Sequence, residues 1–251
     1  MHGIQAITLD WGDTLAANLG MPYQATQRMV FRHLAEGLRA LGGDPGPEPV
    51  ARWMADLRAE WESSADPARN PDEREMDFAG MVDGWVRDAG LAPDAEPVRE
   101  LVEACFDRQT DTVIPYSESA PVVHALARRG YRIGILSHVP WPGPACRRWF
   151  ERHGMAGAIG FYSLSCEVGR IKPHPAHYYD AVRQAGCPPA AILHVGDHPR
   201  RDIVGGRAAG LRTCLRRTER MHAEEDLDAC APDLEILHLA ELLDHLPGPA
   251  A

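Results

Sequence analysis

ITLDWGDTL, residues 7–15, is an apolar strand that breaks into a polar turn. Asp10 and Asp13 stand three apart where the strand ends, with Gly12 between them. Two carboxylates two apart on such a loop would present a nucleophile and its acid partner. Three apart, they do not share that geometry.

After this strand, about a hundred residues show helical spacing and no convincing strand. Val30, Leu34, Leu38 and Leu41 make one apolar helix face. Val50, Met54, Leu57 and Trp61 make a second, Phe78, Met81, Val82 and Trp85 a third, and Val98, Leu101, Val102 and Cys105 a fourth. The Pro/Gly-rich stretches LGGDPGPEP (41–49) and SSADPARNPDE (63–73) read as loops between them.

From Pro121 the pattern changes to alternation. PVVHALARRG feeds the strand YRIGILS, ACRRWFERHG leads to AIGFYSLS, PAHYYDAVRQAG to AAILHVGD, and RRDIVGGRAAG to LRTCLRR. Continuous apolar strands alternating with helices predict an α/β fold with a parallel sheet covered on both faces. The opening strand has no local partner and joins this sheet, with the helices inserted after it. In such sheets the ligand site lies beyond the carboxyl ends of the strands. The polar residues expected to converge there are Asp10 and Asp13, Ser137 and His138, Asp197 and His198, with Lys172 in the loop EVGRIKPHP.

Carboxylates, a lysine and a hydroxyl at one sheet edge suit a phosphoryl group and Mg²⁺. The carboxylates bind the hard cation through oxygen. The lysine and serine stabilise the phosphoryl oxygens, and an aspartate can attack phosphorus covalently.

The combination resembles the haloacid dehalogenase (HAD) superfamily. DWGDTL occupies the place of that family's first motif, DxDGT; Ser137 in IGILSH that of the second; Lys172 in GRIKPHP that of the third. GDHPRRD matches the fourth motif, GDxxxxD, with Asp197 and Asp202. The resemblance covers nearly the whole chain. It implies a Rossmann-like core, residues 1–15 and 116–251, with a helical cap at 16–115. It also implies that Asp10 is the nucleophile forming an aspartyl-phosphate and that Ser137 holds a phosphoryl oxygen. Lys172 would neutralise the aspartate and the phosphate. Mg²⁺ would be bound by Asp10, the backbone carbonyl of Gly12 and Asp197, with Asp202 supporting it through water or orienting Lys172.

One position departs from the family. The residue two after the nucleophile, an aspartate that protonates the leaving oxygen in the family's phosphatases, is here Gly12. Asp13 falls where the family usually has glycine. It is either a displaced acid turned inward or a carboxylate bonding nearby N–H groups, and a one-residue change of register favours the second. Without the usual acid, substrates with good leaving groups, such as aryl or acyl phosphates, are expected.

The histidines, arginines and tryptophans carry weaker signals. His138 and His198 are expected to line the pocket, His138 beside the phosphoryl group. His174 and His177 are expected at the surface or as caps, and His194 within a buried strand. Arg212, Arg216, Arg217 and Arg220 read as a solvated strand end and loop. Trp53, Trp61 and Trp85 read as cap core, and Trp141 as the aromatic facing the site.

Composition bounds the rest. A net charge of −10 argues against a nucleic-acid surface, and no apolar run approaches a membrane span. The six cysteines have no CxxC pairing, so reduced thiols and a cytoplasmic location are expected. The reading is a Mg²⁺-dependent phosphatase of a small phosphorylated metabolite, monomeric or homodimeric. The alternatives are a phosphonate or carbon–halogen hydrolase and a non-catalytic binding module. Residues 16–115 contain no lysine for the Schiff base a phosphonatase would need.

Overall fold

The structure is a computed structural model, and it describes residues 2–17, 23–66, 68–218 and 230–248. In chain order the first elements are β1 (Ala6–Leu9), β2 (Ala16–Ala17), α1 (Tyr23–Ala40), α2 (Pro49–Ala65), α3 (Phe78–Asp88), α4 (Glu96–Thr110) and β3 (Ile114–Pro115). Then come α5 (Ser119–Arg128), β4 (Arg132–Ser137), α6 (Gly143–Arg152), β5 (Ile159–Leu164), α7 (Ser165–Val168) and α8 (Pro175–Ala185). The chain continues with β6 (Ile192–Gly196), a π-helical turn (Pro199–Val204), α9 (Gly205–Ala208), β7 (Arg212–Arg216), β8 (Leu234–Ile236) and α10 (Leu242–His245).

Six strands form one parallel sheet in the order β5-β4-β1-β6-β7-β8. β1 is therefore central, and pairing on both edges explains why Ala6, Ile7, Thr8 and Leu9 are all buried. A strand covered on both faces needs an apolar run, which the alternating segments supply. One core packs α5 and α6 on the sheet through Val123, Leu126, Trp149 and Phe150. Another packs α8 on it through Tyr178, Ala181 and Ala185.

The four helices α1–α4 bury a separate cluster centred on Phe31, Leu34, Leu38, Trp53, Phe78 and Trp85. Trp53 and Trp85 stack at 5.2 Å, with Phe31 edge-on to both. Proline in the first turn opens α2 and α4, where its missing N–H costs nothing, and the Asp77 carboxylate caps α3 by accepting from the Gly80 N–H. β2 and β3 pair antiparallel at the two points where the chain enters and leaves this helical segment. That pair and β8 were not expected from the sequence.

Three expectations are corrected. Trp61, at the end of α2, is 44 % exposed and not core, because it lies past the stripe that packs on α1. His177 is fully buried inside α8, with Nε2 3.1 Å from the Ser163 carbonyl. Arg216 is also buried. Its guanidinium donates to the Thr14 carbonyl and to Glu118 Oε1 (3.1 Å), and lies 4.1 Å over the Tyr116 ring. Arg220 lies outside the described residues.

Candidate active site

β1, β4 and β6 run side by side, so their carboxyl ends deliver Asp10, Ser137 and Asp197 to one edge. The Asp10 N–H donates to the Val195 carbonyl at 2.9 Å, which fixes the start of the loop against β6. Trp11 then turns into the core against Trp149 and Phe150, at 5.0 and 5.8 Å. That anchor leaves Gly12 on the open side. A Cβ at Gly12 would meet nothing within 4 Å. The left-handed residue of the loop is Asp13, at φ 55°, a conformation aspartate tolerates better than most side chains.

Lys172 is the only lysine in the sequence, and it is 2 % exposed. Its Nζ donates to Asp10 Oδ1 at 3.0 Å, to Asp202 Oδ1 at 2.5 Å and to the Leu136 carbonyl at 3.1 Å. All three ammonium protons are therefore used. Burial alone would lower its pKa, but the Asp10 and Asp202 charges outweigh burial and hold it above the ordinary lysine value.

Asp202 is the hub on the far side. Its Oδ1 also lies 3.1 Å from His194 Nε2, and its Oδ2 accepts the His198 N–H at 2.8 Å. The other ring nitrogen of His194 lies 3.0 Å from Thr8 Oγ1. Although burial opposes ionisation, Lys172 and His194 hold the Asp202 carboxyl well below its usual value. Gly196 is required here, because a Cβ would sit 2.2 Å from the Asp202 carboxyl carbon.

The carboxylate oxygens of Asp10, Asp197 and Asp202 come within 4.8 Å of one another. An all-oxygen, anionic set fits a hard divalent cation. With both Asp202 oxygens bonded to protein groups, Asp10 and Asp197 are the carboxylates best disposed to a cation.

A cavity of about 410 Å³ opens over these groups. Asp10, Gly12, Asp13, Ser137, Lys172 and Asp202 line it, as do His138, Trp141 and His198. Arg201 and Trp61 line it too, and neither was expected there. A further residue had no sequence signal. Glu75, from the loop between α2 and α3, reaches His138 with Oε2 3.1 Å from Nε2. It gets there because its loop docks on the loop carrying Lys172. Arg74 bridges antiparallel to Arg170, the Ile171 N–H donates to the Glu73 carbonyl at 2.8 Å, and the Glu75 N–H donates to the Gly169 carbonyl at 3.3 Å.

Residues 4–210 match the family model of the haloacid dehalogenase-like hydrolases. The chain belongs to that family and is a hydrolase of the HAD superfamily. It is 27% identical over 245 residues to a glyceraldehyde 3-phosphate phosphatase of Methanopyrus kandleri, covering 96% of each chain. It is 30% identical to a phosphoserine phosphatase of Thermus thermophilus, over 88% of this chain and 78% of that one. The fold resembles a HAD phosphatase from Thermococcus onnurineus (TM-score 0.65, 19% identity, 99% and 100% of the two chains). It also resembles a 2-haloacid dehalogenase from Pseudomonas syringae (TM-score 0.64, 24% identity, 96% and 97%). No helix among the described residues is long and apolar enough to cross a membrane.

Proposed function

We propose that this hydrolase is a phosphatase of small phosphorylated metabolites that works through an aspartyl-phosphate on Asp10. One observation carries the reading: the chain's only lysine is buried between Asp10 and Asp202, at the floor of a cavity that Ser137 also lines. A carboxylate aimed by a neighbouring ammonium suits attack on phosphorus. In the first half-reaction Asp10 attacks phosphorus and the ester oxygen leaves. In the second, water attacks phosphorus and restores Asp10. Ser137 donates to a phosphoryl oxygen, and Lys172 stabilises the charge on Asp10 and on the transferred group. Asp202 orients Lys172. Asp10, Asp197 and the Gly12 carbonyl would hold Mg²⁺, which when bound neutralises phosphoryl charge.

The names of the relatives support a phosphorylated substrate. A cavity of about 410 Å³ suits a small molecule. We assign residues 16–115 as the cap over this cavity and 1–15 with 116–251 as the core. None of the six cysteines is in a disulfide, which agrees with a cytoplasmic location. The test is phosphate release from a panel of phosphorylated metabolites, with Mg²⁺ and with chelator, by the parent and Asp10→Asn. The parent with Mg²⁺ should turn over and the other combinations should not. Equal release by Asp10→Asn would remove the covalent reading.

A further inference from the structure

We infer that His138 is the proton donor of this site, held in place by Glu75 from the helical segment, and that the pair supplies the acid Gly12 lacks. The inference rests on the phosphatase reading above. Gly12 contributes no side chain to the cavity, and the Asp13 backbone has taken the left-handed position of the loop. Leaving alkoxides still require a proton, so another group lining the cavity must carry it.

His138 comes directly after Ser137 and lines the same cavity as Asp10 and Lys172. Its Nε2 lies 3.1 Å from Glu75 Oε2. The Glu75 side chain is only 3% exposed, and its other oxygen accepts the Met76 N–H at 2.9 Å. Oε2 is buried and has no hydrogen-bond partner among the described residues, and the His138 ring is the group that faces it at ion-pair distance. Nδ1 of His138 has no protein partner among the described residues, which leaves it for the substrate. Trp61 lies nearly parallel to the imidazole, 10° between planes with centroids 6.2 Å apart. Acid and orienting carboxylate thus come from two parts of the chain, and the pair is complete only when residue 75 is docked over the sheet edge.

The step balances without a further reagent. As Asp10 Oδ bonds to phosphorus, the P–O bond to the alcohol breaks and the imidazolium proton passes to that oxygen. His138, now neutral, accepts a proton from the water that then cleaves the aspartyl-phosphate, and phosphate leaves. Glu75 takes no part in the proton transfer. Its role is positioning.

The experiment compares an alkyl and an aryl phosphate in the parent, His138→Ala, His138→Gln and Glu75→Gln. A proton donor matters most for the poorer leaving group. The alkyl rate should fall roughly 10²–10⁴-fold in the His138 variants, with the aryl rate much less affected. Free imidazole should restore alkyl turnover in His138→Ala. Glu75→Gln, which keeps its volume, should lower the alkyl-to-aryl ratio in the same direction. Beryllofluoride, a phosphate mimic without a leaving group, should still bind to all variants with Mg²⁺. Equal losses on both esters, or no rescue by imidazole, would make His138 a phosphate-binding group and overturn the assignment. Absence of Asp10-dependent release from any ester by the parent would instead overturn the phosphatase reading beneath it.

Discussion

Asp13, at φ 55°, carries the left-handed turn of the loop after β1, and its neighbour Gly12 does not. The pair has exchanged the chemistry expected of the two positions: a side chain sits where backbone freedom is needed, and the free position has no side chain. With open space around the Gly12 Cβ, Gly12→Asp should fold with a stability change within about 0.5 kcal/mol. Asp13→Gly relieves a left-handed residue, worth roughly 1 kcal/mol. The double variant should raise alkyl phosphate turnover relative to aryl. It should also shrink the penalty of His138→Gln on alkyl esters, since two acids then serve one proton. Additive effects in that cycle would mean the two positions do not share the role.

Asp202 is expected to matter for stability as much as for catalysis. Asp202→Asn leaves the buried Lys172 ammonium with Asp10 as its only anion and takes the negative charge from beside His194. Breaking one side of a buried pair costs on the order of 3 kcal/mol. Urea unfolding should show a lower midpoint with an unchanged slope. An unaltered midpoint would contradict the hub.

Arg216 should be irreplaceable by lysine. Its planar fork serves the Thr14 carbonyl and Glu118 at once, while its face covers Tyr116. A single ammonium cannot reproduce that geometry. Arg216→Lys is expected to lose turnover, because the Thr14 carbonyl belongs to the loop that carries Asp10. Arg216→Met should destabilise by about 3 kcal/mol or more. Thermal melts and rates of the two variants check this.

His177 sets an acid limit on the fold. Burial first, and then the Lys172 charge, lower its pKa to about 3. The unfolded chain titrates near 6.5, so between those values it binds more protons than the folded one. Stability is therefore full above about pH 6.5 and declines as the pH falls toward 3, by up to about 1.4 kcal/mol per unit. His177→Gln should flatten that decline in denaturant melts taken from pH 7 to pH 4. An equally steep decline in the variant would place the sensitivity elsewhere.

The repeating elements were legible because burial imposes a period. The apolar steps of α1–α4 and the continuous runs of β4–β7 survive in sequence, and the positions just past β1, β4 and β6 do converge. Asp10, Ser137, His138, Lys172 and Asp197 could be gathered on that logic alone. Glu75 could not, because its place depends on one loop pairing with another about a hundred residues away. Arg216 looked like a solvated strand end because nothing local says that β7 finishes against the Thr14 carbonyl. Trp61 continues the apolar spacing of α2, yet its ring lines the cavity beside His138 and is not buried in the helical cluster. β2 and β3 are two residues each, too short for any period to register.

The ion pair around Lys172 has a practical corollary. Apart from the amino terminus, amine-selective reagents have one possible target in this chain. Such reagents need the neutral amine in contact with solvent, and this one is protonated, buried and bonded at every proton. Acylation at residue 172 should therefore proceed only through openings of the site, at a rate proportional to their population. The fold thus carries a built-in clock of its own breathing, readable by mass on a single peptide.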